Sequence, residues 1–188
     1  MCLPLQGKEN FMKEIIKSIK IYLIFTVLLG LVYPLIIAAI AQITMPYQAN
    51  GSLIIKDGRV IGSELIGQKF DKPEYFNSRP SAVNYNAAGS GASNYGPMNE
   101  KLIEQVNSYK KNNKKITADM VMASASGLDP HISIENAMLQ LPRVARQRNL
   151  PESKVKELVN ENTDPDFVGI WGKAGVNVLK LNLTLDSL

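Results

Sequence analysis

Hydrophobic residues are concentrated in one long run near the N-terminus. No charged residue occurs between Lys20 and Lys56, and residues 21–43 are almost wholly apolar. At a rise of roughly 1.5 Å per residue, this segment makes a helix of about 34 Å, which crosses a hydrocarbon core of about 30 Å with some tilt. The pattern predicts a single transmembrane helix over residues 21–43.

Basic residues flank this predicted helix on one side only. Three lysines lie between residues 13 and 20, whereas no basic residue follows the helix until Lys56. Such an excess of positive charge is typical of the cytoplasmic side of a membrane. We therefore expect a cytoplasmic N-terminus over residues 1–20 and one extracytoplasmic domain over residues 47–188, with membrane lipid around the helix between them.

A cleaved signal peptide is the alternative interpretation of the same run. Ala39-Ile40-Ala41 resembles a cleavage site after a basic start, but the apolar core of a signal peptide usually has only about 7 to 15 residues. An uncleaved anchor is therefore favoured. Cys2 precedes the run and cannot be a lipid-modified cysteine that follows one, and a single cysteine excludes an intrachain disulfide. Met1 and Met12 are equally good starts for the anchor.

Turn signals predict a β-hairpin at the start of the outer domain. Apolar residues 53–55 lead into Asp57-Gly58, which suits a type I′ turn, and residues 60–61 lead out. Further on, residues 77–99 are rich in Gly, Ser, Asn and Ala and follow neither periodicity. A loop of this length inside a compact domain is either disordered or functional.

The spacing of apolar residues predicts three helices after this loop. The first helix begins after Pro97. The residues predicted on its core-facing side are Leu102, Ile103, Val106 and Tyr109. A turn or short helix is expected over residues 119–125. The second helix begins at an N-cap, Ser133, and these residues face inward: Ala137, Leu141, Val144 and Ala145.

Proline residues mark a break in the second helix and the start of the third. Pro142 removes a main-chain hydrogen bond, so a kink or break is expected near Gln140 and Leu141. Pro151 opens the last helix, which ends between residues 162 and 165. Its inward residues are Val155, Leu158 and Val159.

Apolar and polar residues alternate at the C-terminus. From Val176 onwards, the apolar positions are Leu179, Leu181, Leu183 and Leu185. This alternation predicts a terminal strand with one buried face. Few strands, three helices and no regular succession of strand and crossover helix indicate a mixed α+β domain.

Charge and composition argue against a nucleic-acid surface and against a metal site. The formal net charge is +4, and the basic and acidic residues of the outer domain are interspersed, which does not indicate a nucleic-acid surface. One local cluster of lysines is interpreted as a solvated turn after a helix. It comprises Lys110, Lys111, Lys114 and Lys115. No Cys/His cluster of the zinc type occurs, so no metal site is predicted.

The only histidine, His131, lies in the segment SASGLDPHIS, residues 124–133. Ser124, Ser126 and Asp129 in the same segment invite comparison with a serine hydrolase. Residues so close along a turn rarely adopt the geometry of a catalytic triad. A capped loop is favoured, and no catalytic residue is predicted. Two alternatives stay open: a membrane-anchored binding module that uses the long loop, and a serine hydrolase that uses Ser126 and His131.

Three polar residues, Gln140, Arg143 and Gln147, share one face of an uninterrupted helix. A solvated polar face is the simpler interpretation. The sharper one is an arginine directed at the carboxylate of a partner or at a phosphate.

Five blocks of the sequence carry a family resemblance. They are FNSRPSA (76–82), SGASN (90–94), SASGLDPHIS (124–133), QLPRVARQR (140–148) and VNVLKLNLTLD (176–186). In type and order they resemble the C subunit of the Kdp-type potassium-transporting ATPase, over residues 12–188. The chain departs from that pattern at Ala92, Ile134, Pro142 and Gly175. Pro142 matters most, because it affects how Gln140 is oriented against Arg143.

The resemblance implies a non-catalytic accessory subunit of a high-affinity ATP-driven potassium uptake pump in the bacterial cell membrane. Its partners would be a channel-like potassium-binding subunit and a P-type ATP-hydrolysing subunit, since this chain has neither a filter sequence such as TVGYG nor a phosphorylation motif. For such a subunit we expect assistance to assembly and stabilisation of the complex and to potassium entry. The resemblance further implies that it raises the ATP affinity of the catalytic subunit (catalytic chaperone).

ATP is an implied ligand, and no firmly bound cofactor is expected. The family-implied nucleotide-binding residues are Ser90, Gly91, Ser93, Asn94, Gln140 and Arg143. An extracytoplasmic domain cannot reach cytosolic ATP, so with this topology any effect on ATP use would be conformational coupling between distant sites.

Subunit contacts are expected in the membrane and in the outer domain. In lipid, helices associate through close packing and shared hydrogen bonds. Gly30 offers a notch for close approach, and Pro34 leaves the carbonyl of Gly30 without its helical donor. In the outer domain, the interface hypothesis includes Arg79, Asp129 and His131.

Overall fold

The computed structural model describes residues 5–112, 115–165 and 172–188 and divides into two compact units. One unit ends at Ser52, and the other is Leu53–Leu188. Helices form the first unit, whereas helices and strands together form the second. This confirms the α+β class. Cys2 and Lys114, which the sequence analysis considered, lie outside the described residues.

The first unit is helical almost throughout. Helix α1 is Leu5–Val27, a π-helical turn covers Leu28–Val32, α2 is Tyr33–Thr44, and the short α3 is Pro46–Ala49. The stretch Phe11–Thr44 is long and apolar enough to cross a membrane, judged by length and composition. It contains the predicted transmembrane segment.

The π-helical turn ends two residues before Pro34. Within it, the main-chain N–H of Tyr33 donates to the carbonyl of Leu28, five residues earlier. Proline has no N–H to continue an α-helical ladder, and a π-bulge is a known cause of helix bending. The helix is thus irregular at Gly30, whose carbonyl the sequence analysis expects to lose its helical donor at Pro34.

A β-hairpin opens the second unit, as predicted. Strands β1, Leu53–Lys56, and β2, Arg59–Ser63, pair antiparallel with a bulge between Ile54 and Ile55. The turn residues Asp57 and Gly58 have φ values of 52° and 72°. Positive φ at both positions is what a type I′ turn requires.

A second antiparallel sheet has three short strands in the order β3-β5-β4. Strand β3 is His131–Ser133, β4 is Thr163–Asp164 and β5 is Gly175–Asn177. His131 pairs with Asn177 in this sheet, and Asp164 pairs with Gly175. The sheet therefore brings together segments that are far apart in sequence.

The described residues of the second unit form five helices. They are α4 (Glu100–Asn112), α5 (Ala118–Val121), α6 (Ile134–Arg148), α7 (Glu152–Glu161) and α8 (Val178–Leu185). The core forms where α6, α7 and α8 pack on one another and on the three-stranded sheet. The largest buried side chain in it, Phe76, comes from the irregular segment before the long loop.

Helix α6 begins as predicted but does not break. The Ser133 hydroxyl accepts the main-chain N–H of Asn136 as an N-cap. All four residues predicted to face inward are buried. The break expected near Gln140 and Leu141 is absent, since α6 continues through Pro142. Leu141 and Val144, on either side of this exposed proline, are anchored in the core.

The predicted terminal strand is wrong beyond Asn177. Only three residues form β5, and the chain then turns into α8. The Asn177 side chain accepts the N–H of Lys180 and so caps this helix. The buried residues Val178, Leu181 and Leu185 recur at helical spacing.

Helix α4 is present, but the prediction that it faces a core is only partly met. Its predicted inward residues are half-buried at best, and Ile103 is 44% exposed. Among the elements of the second unit, α4 packs mainly on the four-residue helix α5. It therefore lies beside the core rather than in it.

Candidate functional site

The long loop, residues 77–99, contains no helix or strand. Its main-chain polar groups must therefore find partners outside regular secondary structure. Two buried amide side chains supply them where the loop begins. Asn182 of α8 accepts the N–H of Phe76 at 2.9 Å and donates to the Phe76 carbonyl at 3.0 Å.

Gln140 of α6 makes the equivalent pair of bonds to the next residue. Its Oε1 accepts the N–H of Asn77 at 2.8 Å, and its Nε2 donates to the Asn77 carbonyl at 3.2 Å. Nε2 also donates to Asn136, and Oε1 also accepts from Arg143. Gln140 is only 7% exposed, so a solvated polar face is the wrong interpretation of this residue. We call Asn182 and Gln140 the amide clamps.

Arg143 lies beside the clamp on the same face of α6, in spite of Pro142. Its Nη2 donates to Gln140 Oε1 and to Asn77 Oδ1, both at 2.8 Å, and its Nη1 bonds to the carbonyl of Pro73. Burial lowers the pKa of this guanidinium. Within the described part of the chain no carboxylate pairs with it. It is a half-buried cation held by neutral oxygens.

Gln140 and Arg143 line an open cleft of about 780 Å³. Two lysines, Lys69 and Lys115, also line it, and Lys69 pairs with Asp71 at 3.0 Å. Three aromatic residues also line the cleft: Phe70, Tyr85 and Tyr109. Asp71 lines the cleft as well, together with amide and apolar side chains, so the lining is mixed and its three cationic side chains are the groups suited to an anion.

A second set of hydrogen bonds joins residues 81, 90 and 91 of the long loop to Ser126 and Gly127. The N–H of Gly91 and the hydroxyl of Ser90 both donate to the carbonyl of Ser126, at 2.9 and 3.1 Å. The hydroxyl of Ser81 donates to the carbonyl of Gly127 at 2.6 Å. We call these five residues the serine latch.

Gly127 is required by this packing. Its φ is +68°, a conformation that favours glycine. A Cβ atom there would lie 2.7 Å from Val83 Cγ2 and 2.8 Å from the carbonyl oxygen of Gly91. The two loops could not approach so closely with any other residue in place.

The structure does not gather the family-implied nucleotide-binding residues into one site. Gln140 and Arg143 line the large cleft, whereas Ser93 and Asn94 line a second cleft of about 480 Å³. Ser90 and Gly91 belong to the serine latch. Pro80 borders both clefts, so the two are neighbours.

The three outer-domain residues of the interface hypothesis do form one chain of contacts. Arg79 pairs with Asp129 at 2.9 Å, and the other oxygen of Asp129 accepts the N–H of His131 at 3.0 Å. The ring of His131 bonds to Asp164 at 2.8 Å across the sheet. Tyr85 donates its hydroxyl to the carbonyl of Arg79.

The same contacts weaken the serine hydrolase alternative. The Ser126 hydroxyl accepts the N–H of Leu128 within its own turn, and the Ser126 carbonyl belongs to the latch. His131 is paired with Asp164 instead. The two residues that the alternative requires are engaged in separate networks. In the part of the chain that the structure describes, no group of three or more His, Cys, Asp or Glu residues could hold a metal ion.

A half-buried carboxylate, Asp119, supports the Gln140 clamp through Asn136. Asp119 of α5 accepts the N–H of Ser133 at 2.7 Å and the amide of Asn136 at 3.0 Å, and Asn136 in turn accepts from Gln140. Burial alone would raise the pKa of Asp119, but the hydrogen bonds that it accepts outweigh burial and lower the pKa below its usual value.

Sequence reasoning missed Asp119, Asn136 and Asn182. Asn182 was assigned to the solvent face of a strand, yet it is 1% exposed. Its partner lies more than a hundred residues earlier, and no local pattern reports such a contact. Asn136 offered a weak signal, because it lies one turn before Gln140 on the same helix.

Comparison with known proteins gives a consistent result. A family model described as "KdpC: K+-transporting ATPase, c chain" matches residues 15–187. A protein of Caldanaerobacter subterraneus subsp. tengcongensis named "Potassium-transporting ATPase KdpC subunit" is 50% identical over 182 residues, which cover 92% of this chain and 94% of that protein. A protein of the same name from Koribacter versatilis is 46% identical, with coverages of 93% and 94%. The "Potassium-transporting ATPase KdpC subunit 2" of Staphylococcus aureus is also 46% identical, with coverages of 94% and 100%.

Proposed function

The chain belongs to the KdpC family of K+-transporting ATPase subunits, and we propose that it is a non-catalytic accessory subunit that stabilises the assembled pump and assists potassium uptake. Through the assembly it raises the ATP affinity of the catalytic subunit. Its partners are a channel-like potassium-binding subunit and a P-type ATP-hydrolysing subunit.

One observation carries this proposal: the motif residues of the outer domain bind one another rather than standing free for a reaction. The amide clamps fix the start of the long loop, and the serine latch holds it again at Ser81 and at residues 90–91. Between Arg79 and Glu100 this loop has no charged residue, and its tip, residues 86–90, is exposed. The centre of a protein interface is depleted of charge, and a surface that is already ordered loses less entropy on binding.

The lysine asymmetry supports the topology of the proposal. The N-terminus is cytoplasmic, one helix crosses the bacterial cell membrane, and the outer domain is extracytoplasmic. From that side the domain reaches the potassium-binding subunit but not cytosolic ATP. Its effect on ATP use is therefore a coupling free energy between two distant sites of the complex.

The anchor helix contributes a second contact with the larger subunits. Gly30 lies within the π-helical turn, and beyond the neighbouring backbone of its own helix a Cβ atom placed there would meet no described atom within 4 Å. A larger side chain at this position thus fits the helix by itself. Any loss of assembly on enlarging it would report a neighbouring helix packed against Gly30.

Purification from membranes tests the proposal. The tagged full chain, extracted in mild detergent from cells that express the whole pump, should bring down two larger membrane proteins with potassium-stimulated ATPase activity. A pump that assembles without this chain, and that hydrolyses ATP with an unchanged KM, would refute it. A chain that is purified alone would instead be a free-standing anchored binding module.

A further inference from the structure

We infer that Asn182 and Gln140 act as a matched pair of positioning residues, and that Gln140 influences ATP use by holding the start of the long loop and Arg143 in place rather than by binding nucleotide. The inference rests on the proposed accessory function. It gives Asn182 a role, and it gives Gln140 a role different from the one that the family resemblance implied.

The two clamps have the same geometry. Each side-chain amide bonds to both the N–H and the carbonyl of one main-chain residue, and the two residues that they hold, Phe76 and Asn77, are consecutive. Asn182 is 1% exposed and Phe76 is fully buried. The clamps come from different helices, α8 and α6. Together they fix the direction in which the chain leaves the core.

Gln140 has no hydrogen-bonding capacity left for a ligand. A carboxamide offers two N–H donors and an oxygen with two lone pairs. Both donors are used, on the carbonyl of Asn77 and on Asn136, and both acceptor positions are used, by the N–H of Asn77 and by Arg143. A nucleotide could bond to this amide only after one of these buried bonds had broken.

The clamp also orients Arg143. Its Nη2 bonds at once to Gln140 Oε1 and to Asn77 Oδ1, so the guanidinium is set by the clamp residue and by the residue that is clamped. Losing either clamp should move Asn77 and with it Arg143. Asn182 touches neither Arg143 nor the large cleft. It therefore separates an effect on position from an effect on ligand contact.

The test uses the complete pump with four variants of this chain: Gln140→Ala, Gln140→Glu, Asn182→Ala and Asn182→Asp. The acidic variants keep the shape of each side chain but cannot donate to the clamped carbonyl. They allow the effects of Gln140 and Asn182 to be compared even if an alanine variant fails to assemble. Gln147→Ala is the matched control, because it removes an exposed glutamine from the same helix.

Each clamp variant should lower the unfolding midpoint of the outer domain by about 4 to 10 °C, since it leaves buried main-chain groups without partners. Hydrogen exchange at the amides of residues 76 and 77 should accelerate in the two alanine variants, which remove the oxygen that accepts these N–H groups. The KM for ATP should rise by a similar factor for the Gln140 and Asn182 variants, with little change in kcat, and Gln147→Ala should leave all values unchanged.

Two outcomes would overturn the inference. In one, Gln140→Ala raises the KM while Asn182→Ala, with the same loss of thermal stability, leaves it at the wild-type value. In the other, neither clamp alters stability or exchange. The KM for ATP is also measured for the pump with and without this chain. If the two values are equal, the proposed function is refuted rather than this inference.

Discussion

Replacing Gly127 by alanine should release the long loop from the segment on which it packs. A Cβ at this position would lie 2.7 Å from Val83 Cγ2 and 2.8 Å from the carbonyl oxygen of Gly91. The second contact is with main chain and cannot be relieved by a side-chain rotation. The two loops must therefore separate, which lengthens the bonds from Ser81 to Gly127 and from Gly91 to Ser126.

The magnitude follows from two contributions. Holding alanine in the left-handed conformation costs about 1 to 2 kcal/mol. Each of the two hydrogen bonds that would be lost contributes about 0.5 to 1.5 kcal/mol. The free energy of unfolding should therefore fall by roughly 2 to 5 kcal/mol. Gly58→Ala is the matched control, because Gly58 also has a positive φ, +72°, but has nothing within 4 Å of its Cβ position.

Denaturant unfolding of the full chain in detergent, followed by a probe in the outer domain, measures this difference. Gly127→Ala should be less stable than Gly58→Ala by about 1 to 3 kcal/mol, the contribution of the lost bonds. Limited proteolysis should cut residues 77–99 faster in Gly127→Ala only. Equal stability of the two variants, or equal cleavage, would refute the reasoning that the latch holds the loop.

Three further predictions concern charge, chemistry and the anchor. The folded-state pKa of Asp119 is lowered, so its contribution to stability is complete above the ordinary pKa of an aspartate and is lost as the pH falls through the folded-state pKa. The difference in unfolding free energy between wild type and Asp119→Asn, measured by urea unfolding, should therefore shrink in acid. His131→Gln should leave potassium-stimulated ATP hydrolysis by the assembled complex largely unchanged, whereas a loss of about a thousandfold or more with assembly intact would indicate a catalytic base. Gly30→Leu should reduce the yield of the larger subunits on co-purification, and a yield equal to wild type would make the helix only a tether.

Local sequence signals predicted those elements whose causes are local. The Asp-Gly turn needs positive φ at two adjacent residues. Ser133 caps α6 by accepting the N–H of Asn136, three residues further along the chain. The inward face of α6 was also predictable, since its apolar residues recur at helical spacing. In each case the residues that cause the structure are neighbours in sequence.

Two errors have tertiary causes. Leucines at 179, 181, 183 and 185 alternate as in a strand, but the residues that the core buries include Val178 and Asn182, which follow a helical period. Pro142 costs α6 one main-chain bond, yet packing of buried residues on both sides of it keeps the helix continuous. Neither outcome is encoded in a short window of sequence.

The candidate site could be predicted only in part. The family blocks pointed to Gln140, Arg143 and Ser90, and all three do have specific contacts. Those contacts join residues 36 to 66 positions apart along the chain. Whether a polar side chain binds a ligand or the protein's own main chain depends on such distant partners, which a single sequence does not reveal.

The central claim is that this chain serves the pump from the extracytoplasmic side. Cysteine labelling tests it most directly, with Ser187→Cys and Ser18→Cys each introduced into a Cys2→Ser background, because Cys2 is the only native cysteine. A membrane-impermeant maleimide, added to cells with a permeabilised wall or outer membrane, should label Ser187→Cys and should reach Ser18→Cys only after lysis. Labelling of Ser18→Cys alone in intact cells would contradict the account, since it would place the outer domain in the cytosol with direct access to ATP.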